Sequence, residues 1–132
     1  MNAALLLLRV ASAVVFLYHG SSILFGAFGG PGPAKFAAFM HAPTAIGYLV
    51  GIGEFFGGLG ILLGVFTRIS AACIAVIMIG AIVLVHLAHG FDVSRGGSEF
   101  AFTQLLIALA LVFTGPGEYS LAAMMPAPLQ KL

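Results

Sequence analysis

Charge is what this chain has least of. Its 132 residues hold five Lys and Arg and four Asp and Glu, for a formal net charge of +1. That leaves too little polar surface for a soluble domain, and no basic stripe of the kind nucleic-acid binding needs. There is one cysteine, Cys73, inside an apolar run. It excludes an internal disulfide and a dithiol relay. No flavin, dinucleotide or iron–sulfur motif is present, so redox chemistry would require a partner or a bound cofactor. What the chain does have is apolar surface. It is 61% hydrophobic with a mean hydropathy of +1.17, a composition that places it in the lipid bilayer, as one domain over residues 1–132.

Hydropathy and punctuation divide the chain into four spans, at about residues 3–25, 44–64, 69–89 and 98–114. Ala11-Ser12-Ala13 resembles a signal-peptide cleavage site, but Arg9 lies within the apolar run and hydrophobicity continues to Phe28, so the segment reads as a membrane span. GAFGGPGP at 26–33 breaks the first helix, and AKFAAFMH at 34–41 reads as a short amphipathic piece at the interface. Pro43 opens the second span. Val65 to Arg68 form a tight turn, which makes the second and third spans antiparallel neighbours. Ser98 is the expected N-cap of the fourth span, and Gly115-Pro116-Gly117 ends it. The expected fold is all-α, an integral membrane four-helix bundle of antiparallel up-down topology. Lys and Arg number three on the termini side (Arg9, Arg68, Lys131) and two opposite (Lys35, Arg95). This favours cytoplasmic termini in a multi-pass protein.

One residue organises the rest. The second span, from Thr44 to Gly64, contains a single charge, Glu54, halfway along. An acidic side chain at the bilayer centre costs roughly 2.5–3.5 kcal/mol on insertion scales, so it must face the protein interior. At about 100° per residue, Gly47, Gly51, Glu54 and Gly58 share one stripe. Gly53, Gly57, Gly60 and Gly64 form a second, roughly 120° away. Small residues let helices approach closely in lipid, so the two stripes predict two close neighbours.

By depth, His19, His86, His89 and Glu99 fall in the same half of the bundle as Glu54. Three readings follow. The groups satisfy one another as glue between helices; or they line a pocket that handles protons or holds a small redox ligand such as a quinone; or His19, His86 and His89 hold a metal ion or haem iron. Desolvation and pairing act oppositely on a carboxyl and an imidazole, so a buried Glu–His set can exchange protons near neutrality. Arg9 is expected to snorkel to the headgroups as an orientation anchor, with an inward ion pair as the alternative. Tyr18 and Tyr48 read either as carbonyl donors or as interfacial residues.

Five segments, FLYHG (16–20), EFFGGLGILLGVFTR (54–68), HLAHGF (86–91), GGSEF (96–100) and GPGEYSL (115–121), resemble the DoxX family of small four-helix membrane proteins. The resemblance implies a prokaryotic inner or cytoplasmic membrane protein. Its relatives include membrane subunits linked to thiosulfate and quinone oxidation, and others that couple thiol or oxidant-defence systems. It also implies His19, Glu54, Arg68, His86 and Glu99 as the recurring polar residues. Ile23 stands where many relatives have lysine, and His89 where many have asparagine. The function so implied is an accessory or subunit of a quinone-linked membrane oxidoreductase with protein partners. The alternatives are a small-hydrophobe or metal-binding transport protein, and a scaffold that assembles other subunits. Oligomeric state stays open.

Overall fold

The computed structural model describes all residues, Met1–Leu132. Every regular element is helical: α1 (Asn2–Phe25), α2 (Gly32–Phe39), α3 (Thr44–Leu63), α4 (Thr67–Ala81) and α5 (Glu99–Thr114), with short helical turns between them. Three helices are long and apolar enough to cross a membrane: Asn2–Phe25, Thr44–Leu63 and Thr67–His89, with 24, 20 and 23 residues. α5, with 16 residues, is shorter.

The glycine stripes of α3 do what their spacing predicts. On the first, a Cβ at Gly51 would lie 3.1 Å from Leu24, and one at Gly58 3.1 Å from Leu17, so this face sits against α1. Gly20 of α1 returns the approach, its missing Cβ being replaced by the Glu54–Phe55 backbone. On the second stripe, Gly53 meets Ile77 and Cys73, while Gly57 meets Ile74 of α4. Gly64 departs from that stripe. It adopts φ 70°, ends α3 in the left-handed conformation, and lies beside the Arg9 guanidinium. Ala13, Phe16, Ile61, Ile74 and Leu111 fill the space between α1, α3, α4 and α5.

Arg9 corrects the expectation of snorkelling. It is 1% exposed, and it turns inward to main-chain oxygens rather than to a carboxylate. Its Nε–H donates to Ile61 O at 2.8 Å and Nη2 to Leu62 O at 2.6 Å, while Nη1 donates to Pro116 O and Tyr119 O. The last carbonyls of a helix have no intrahelical donor and carry its negative dipole end, so a buried guanidinium is well matched there. Arg68 does the same for α5, donating through Nη1 to Val112 O and Phe113 O.

Two other local expectations change. Ser98 occupies the N-cap position of α5, but its side chain makes no capping bond. The third span is not a uniform α-helix. After Ala81 it widens into a π-helical turn, Ile82–His86, and closes with a tighter turn at Leu87–His89.

Candidate functional site

Above Glu54 lies a cavity of about 560 Å³, of which 15 of the 19 lining residues are hydrophobic. Its volume falls within the range of small-molecule sites, roughly 300–1,000 Å³. Phe16, Phe36, Phe39, Met40, Met78 and Phe100 supply much of its wall. The exceptions to this apolar lining include Glu54 from α3, His19 from α1 and His86 from the π-helical turn. The cavity has this chemistry because the apolar faces of α1, α3 and the Thr67–His89 helix are each interrupted there by one titratable side chain, while α2 adds only apolar ones. α5 contributes only Phe100 and Ala101.

Glu54 is 6% exposed, and its Oε2 has no hydrogen-bond partner. A buried acceptor left unpaired costs on the order of 1–3 kcal/mol, more when charged. A carboxyl with no protein partner in a cavity lining is a place where a ligand's polar group would be rewarded. His19 sits at the rim, 5.5 Å between ring centroids from Tyr18 and 6.4 Å from Phe100. His86 Nδ1 lies 2.7 Å from Gly96 O. Because a carbonyl can only accept, Nδ1 carries the proton in that bond. Nε2 of the neutral ring is then the free acceptor.

The other expected members do not join. His89 is exposed and its Nδ1 donates to Val85 O at 2.9 Å, within its own helical turn. Glu99 accepts from Val93 N at 3.2 Å and so closes the loop before α5. Neither lines the cavity. Both belong to a segment whose conformation is set by its own hydrogen bonds, which keeps them outside the helix interior. Nor do the histidines gather for metal: no group of three or more His, Cys, Asp or Glu side chains is placed to hold an ion. His19, His86 and His89 therefore do not come together as a three-ligand group.

Sequence reading passed over three buried polar side chains that lie outside the cavity lining. Gln104 is buried on α5 with its Oε1 unpartnered, and Ser12 and Thr67 are buried with unpartnered hydroxyls. Only the polar residues flanked by apolar neighbours at helical spacing could have drawn attention to them. A second cavity of about 690 Å³ lies at the opposite end, lined by Arg68, Glu118, Ser120 and Lys131 among others. Its polar groups are largely spoken for, since Glu118 Oε2 accepts from Asn2 Nδ2 at 2.6 Å and Ser120 Oγ donates to Gly117 O at 2.8 Å.

Long apolar helices enclosing an apolar cavity with a buried acid define a helical integral membrane protein with a cavity among its helices. The particular family follows from comparison. The DoxX family model matches residues 4–87, a stretch that includes His19, Glu54 and His86 and ends before His89 and Glu99. The chain belongs to the DoxX family. It is similar to the Bacillus subtilis protein named Putative oxidoreductase CatD, with 34% identity over 110 residues, 83% of this chain and 78% of that one. It is also similar to a Mycobacterium tuberculosis protein named Uncharacterized membrane protein Rv3486, with 35% identity over 101 residues, 68% of this chain and 62% of that one. A Haemophilus influenzae protein shares 31% identity over 126 residues, 86% of this chain and 84% of that one. No solved structure matches the chain.

Proposed function

We propose that this protein is a membrane subunit of a quinone-linked oxidoreductase system, and that Glu54, His19 and His86 receive the quinone head in the cavity. The observation that carries the reading is Glu54, 6% exposed and with its Oε2 unpartnered, in the lining of an apolar cavity that also holds two imidazoles. A bound quinone would supply two-electron, two-proton redox chemistry. The chain's own part is to orient the head, exclude water and move protons. A protonated Glu54 can donate a hydrogen bond to a carbonyl oxygen, and His86 Nε2 can exchange a proton through the ring. Electrons come from a protein partner, in keeping with the name borne by the Bacillus subtilis relative.

The architecture that goes with this reading is an antiparallel, up-down bundle of four crossings, formed by α1, α3, the Thr67–His89 helix and α5, in a prokaryotic cytoplasmic membrane. α5 has 16 residues. It rises about 24 Å and completes its crossing through the flanking turns and local thinning of the bilayer.

The test uses membranes from strains carrying Glu54→Gln or His86→Ala in place of the native chain, compared with a deletion strain. The quinone-dependent electron transfer that the deletion abolishes should fall by about a hundredfold in Glu54→Gln. Full activity in both variants would remove the cavity from the chemistry. Unchanged activity per complex with reduced abundance would instead point to a scaffold.

A further inference from the structure

Gly80 has no evident packing reason to be glycine. It lies near the end of α4, its φ is not in the left-handed region, and a Cβ built there meets nothing within 4 Å. Glycine in a helix interior costs about 1 kcal/mol relative to alanine. The other glycines of the α3–α4 contact are explained by close approach, as Gly53 against Ile77 and Cys73 shows. Gly80 instead lines the cavity. Its missing side chain keeps space open.

The surroundings show where that space leads. On the face of α3 that meets α4, the contacting glycines run from Gly60 through Gly57 to Gly53, whose missing Cβ is met by Ile77 and Cys73. Beyond Ile77, a Cβ at Gly80 would meet no atom of α3 within 4 Å, which leaves a wedge of space between the two helices there. The side chains that line the cavity at this wedge are also exposed on the outer surface: Ile46 by 39%, Val76 by 69% and Leu84 by 74%. A residue can do both only at the lip of an opening. The side chains at this lip are apolar, and in a membrane protein they face acyl chains, while His19, Phe39 and Phe100, exposed too, stand at the cavity's other edges. Glu54 is buried deeper in, and His86 follows Leu84 in the π-helical turn.

We propose that the cavity opens sideways between α3 and α4 through a lipid-facing portal at Gly80, and that its ligand is a single-chain amphiphile. The polar head reaches Glu54, and the apolar tail leaves across Gly80 into the bilayer. This rests on the cavity being a ligand site, and it adds the class of ligand and the residue that selects it. A compact ligand would leave the apolar lip and the Gly80 opening unused. A long tail covers both and shields the buried acid from water.

The test separates head from tail. Purified protein in phospholipid nanodiscs is titrated by equilibrium dialysis with a dimethoxy-methyl-benzoquinone bearing no tail, and with the same head bearing a decyl tail. Wild-type protein should bind the tailed probe at least about tenfold more tightly than the tailless one. In Gly80→Phe that advantage should vanish. Val83→Phe, 60% exposed and outside the cavity lining, should behave as wild type. An undiminished tail advantage in Gly80→Phe overturns the portal and leaves the head site standing. Failure of wild-type protein to bind either probe overturns the site and the portal together. Should Gly80→Phe fold poorly, the decyl probe with a terminal diazirine gives a second measurement on wild-type protein. Adducts on residues 46–50 and 76–84 support the portal, and adducts confined to α1 or α5 overturn it.

Discussion

Arg9 and Glu54 are two buried charges with opposite fates. Arg9 spends its donors on four main-chain oxygens, those of Ile61, Leu62, Pro116 and Tyr119, whereas Glu54 keeps Oε2 free. The first is therefore read as structure and the second as function. Replacing Arg9 by Gln should leave several carbonyls unsatisfied in the interior and lower stability by on the order of 3 kcal/mol. Arg68→Gln, at a half-buried site with two such acceptors, should cost less. Thermal unfolding in mild detergent checks the order, and equal Tm values for the two variants would contradict the assignment. Glu54 was legible in the sequence because a lone acid in an apolar run has few interpretations. The destination of Arg9 was not, because its partners are carbonyl groups that every residue carries and no sequence motif marks. The same limit explains Gly80, whose meaning lies in the empty space beside it, and the loss of His89 and Glu99 from the cavity. Depth along a helix could not tell that local hydrogen bonds, from His89 to Val85 O and from Val93 N to Glu99, would claim them.

The π-helical turn Ile82–His86 is the element that aims His86. A π turn carries one residue more than an α turn would need, and such turns recur at functional sites. Deleting Val83, an exposed residue of that turn, should restore α geometry and rotate everything beyond it by about 100°. His86 would then leave the cavity wall. The expected outcome is a loss of tailless-quinone binding as large as that of His86→Ala, with little change in Tm. Retained binding would show that the turn is incidental. Helix ends and breaks were legible, as at Gly26 and Gly64, since glycines mark them. The π turn was not, because IVL-VH is apolar on all sides up to the histidine and gives no periodicity from which a change of pitch could be read. The loop that follows has its own lock. The Asp92 carboxylate accepts from Ser94 Oγ at 2.7 Å and Ser94 N at 2.9 Å, and these bonds hold its pKa below the usual value. A depressed folded pKa stabilises the loop above the ordinary carboxylate range, and the contribution is lost as pH falls through the lowered value. Amide exchange at Ser94, corrected for the intrinsic rate, should quicken on acidification into that range, and Asp92→Ala should show the fast rate at neutral pH.

For the whole molecule, the decisive structural question is how many times the chain crosses the bilayer. Three helices have the length and hydropathy to do so, which alone would put the termini on opposite sides. The contacts support the fourth crossing proposed for α5. Its C-terminal carbonyls Val112 and Phe113 meet Arg68 at the start of α4, while its N-terminal approach meets α4's far end where Gly96 O accepts from His86. α5 therefore runs the full length of its neighbour in the reverse direction. Arg9 of α1 also holds the segment after α5 through Pro116 and Tyr119, which brings both ends of the chain to one side. The single native cysteine makes this testable. In a Cys73→Ser background, Asn2→Cys and Lys131→Cys should respond alike to a membrane-impermeant maleimide in sealed spheroplasts, and opposite to Ser94→Cys in the α4–α5 loop. With three Lys and Arg on the termini side and two on the other, the expected sense is protection at positions 2 and 131 and labelling at 94. Opposite responses at 2 and 131 would reduce the crossings to three and make α5 a surface helix. The wall that Phe100 and Ala101 give the cavity would then lie outside the membrane interior, and the unpaired Glu54 would lose the water-poor surroundings that the proposed ligand site needs.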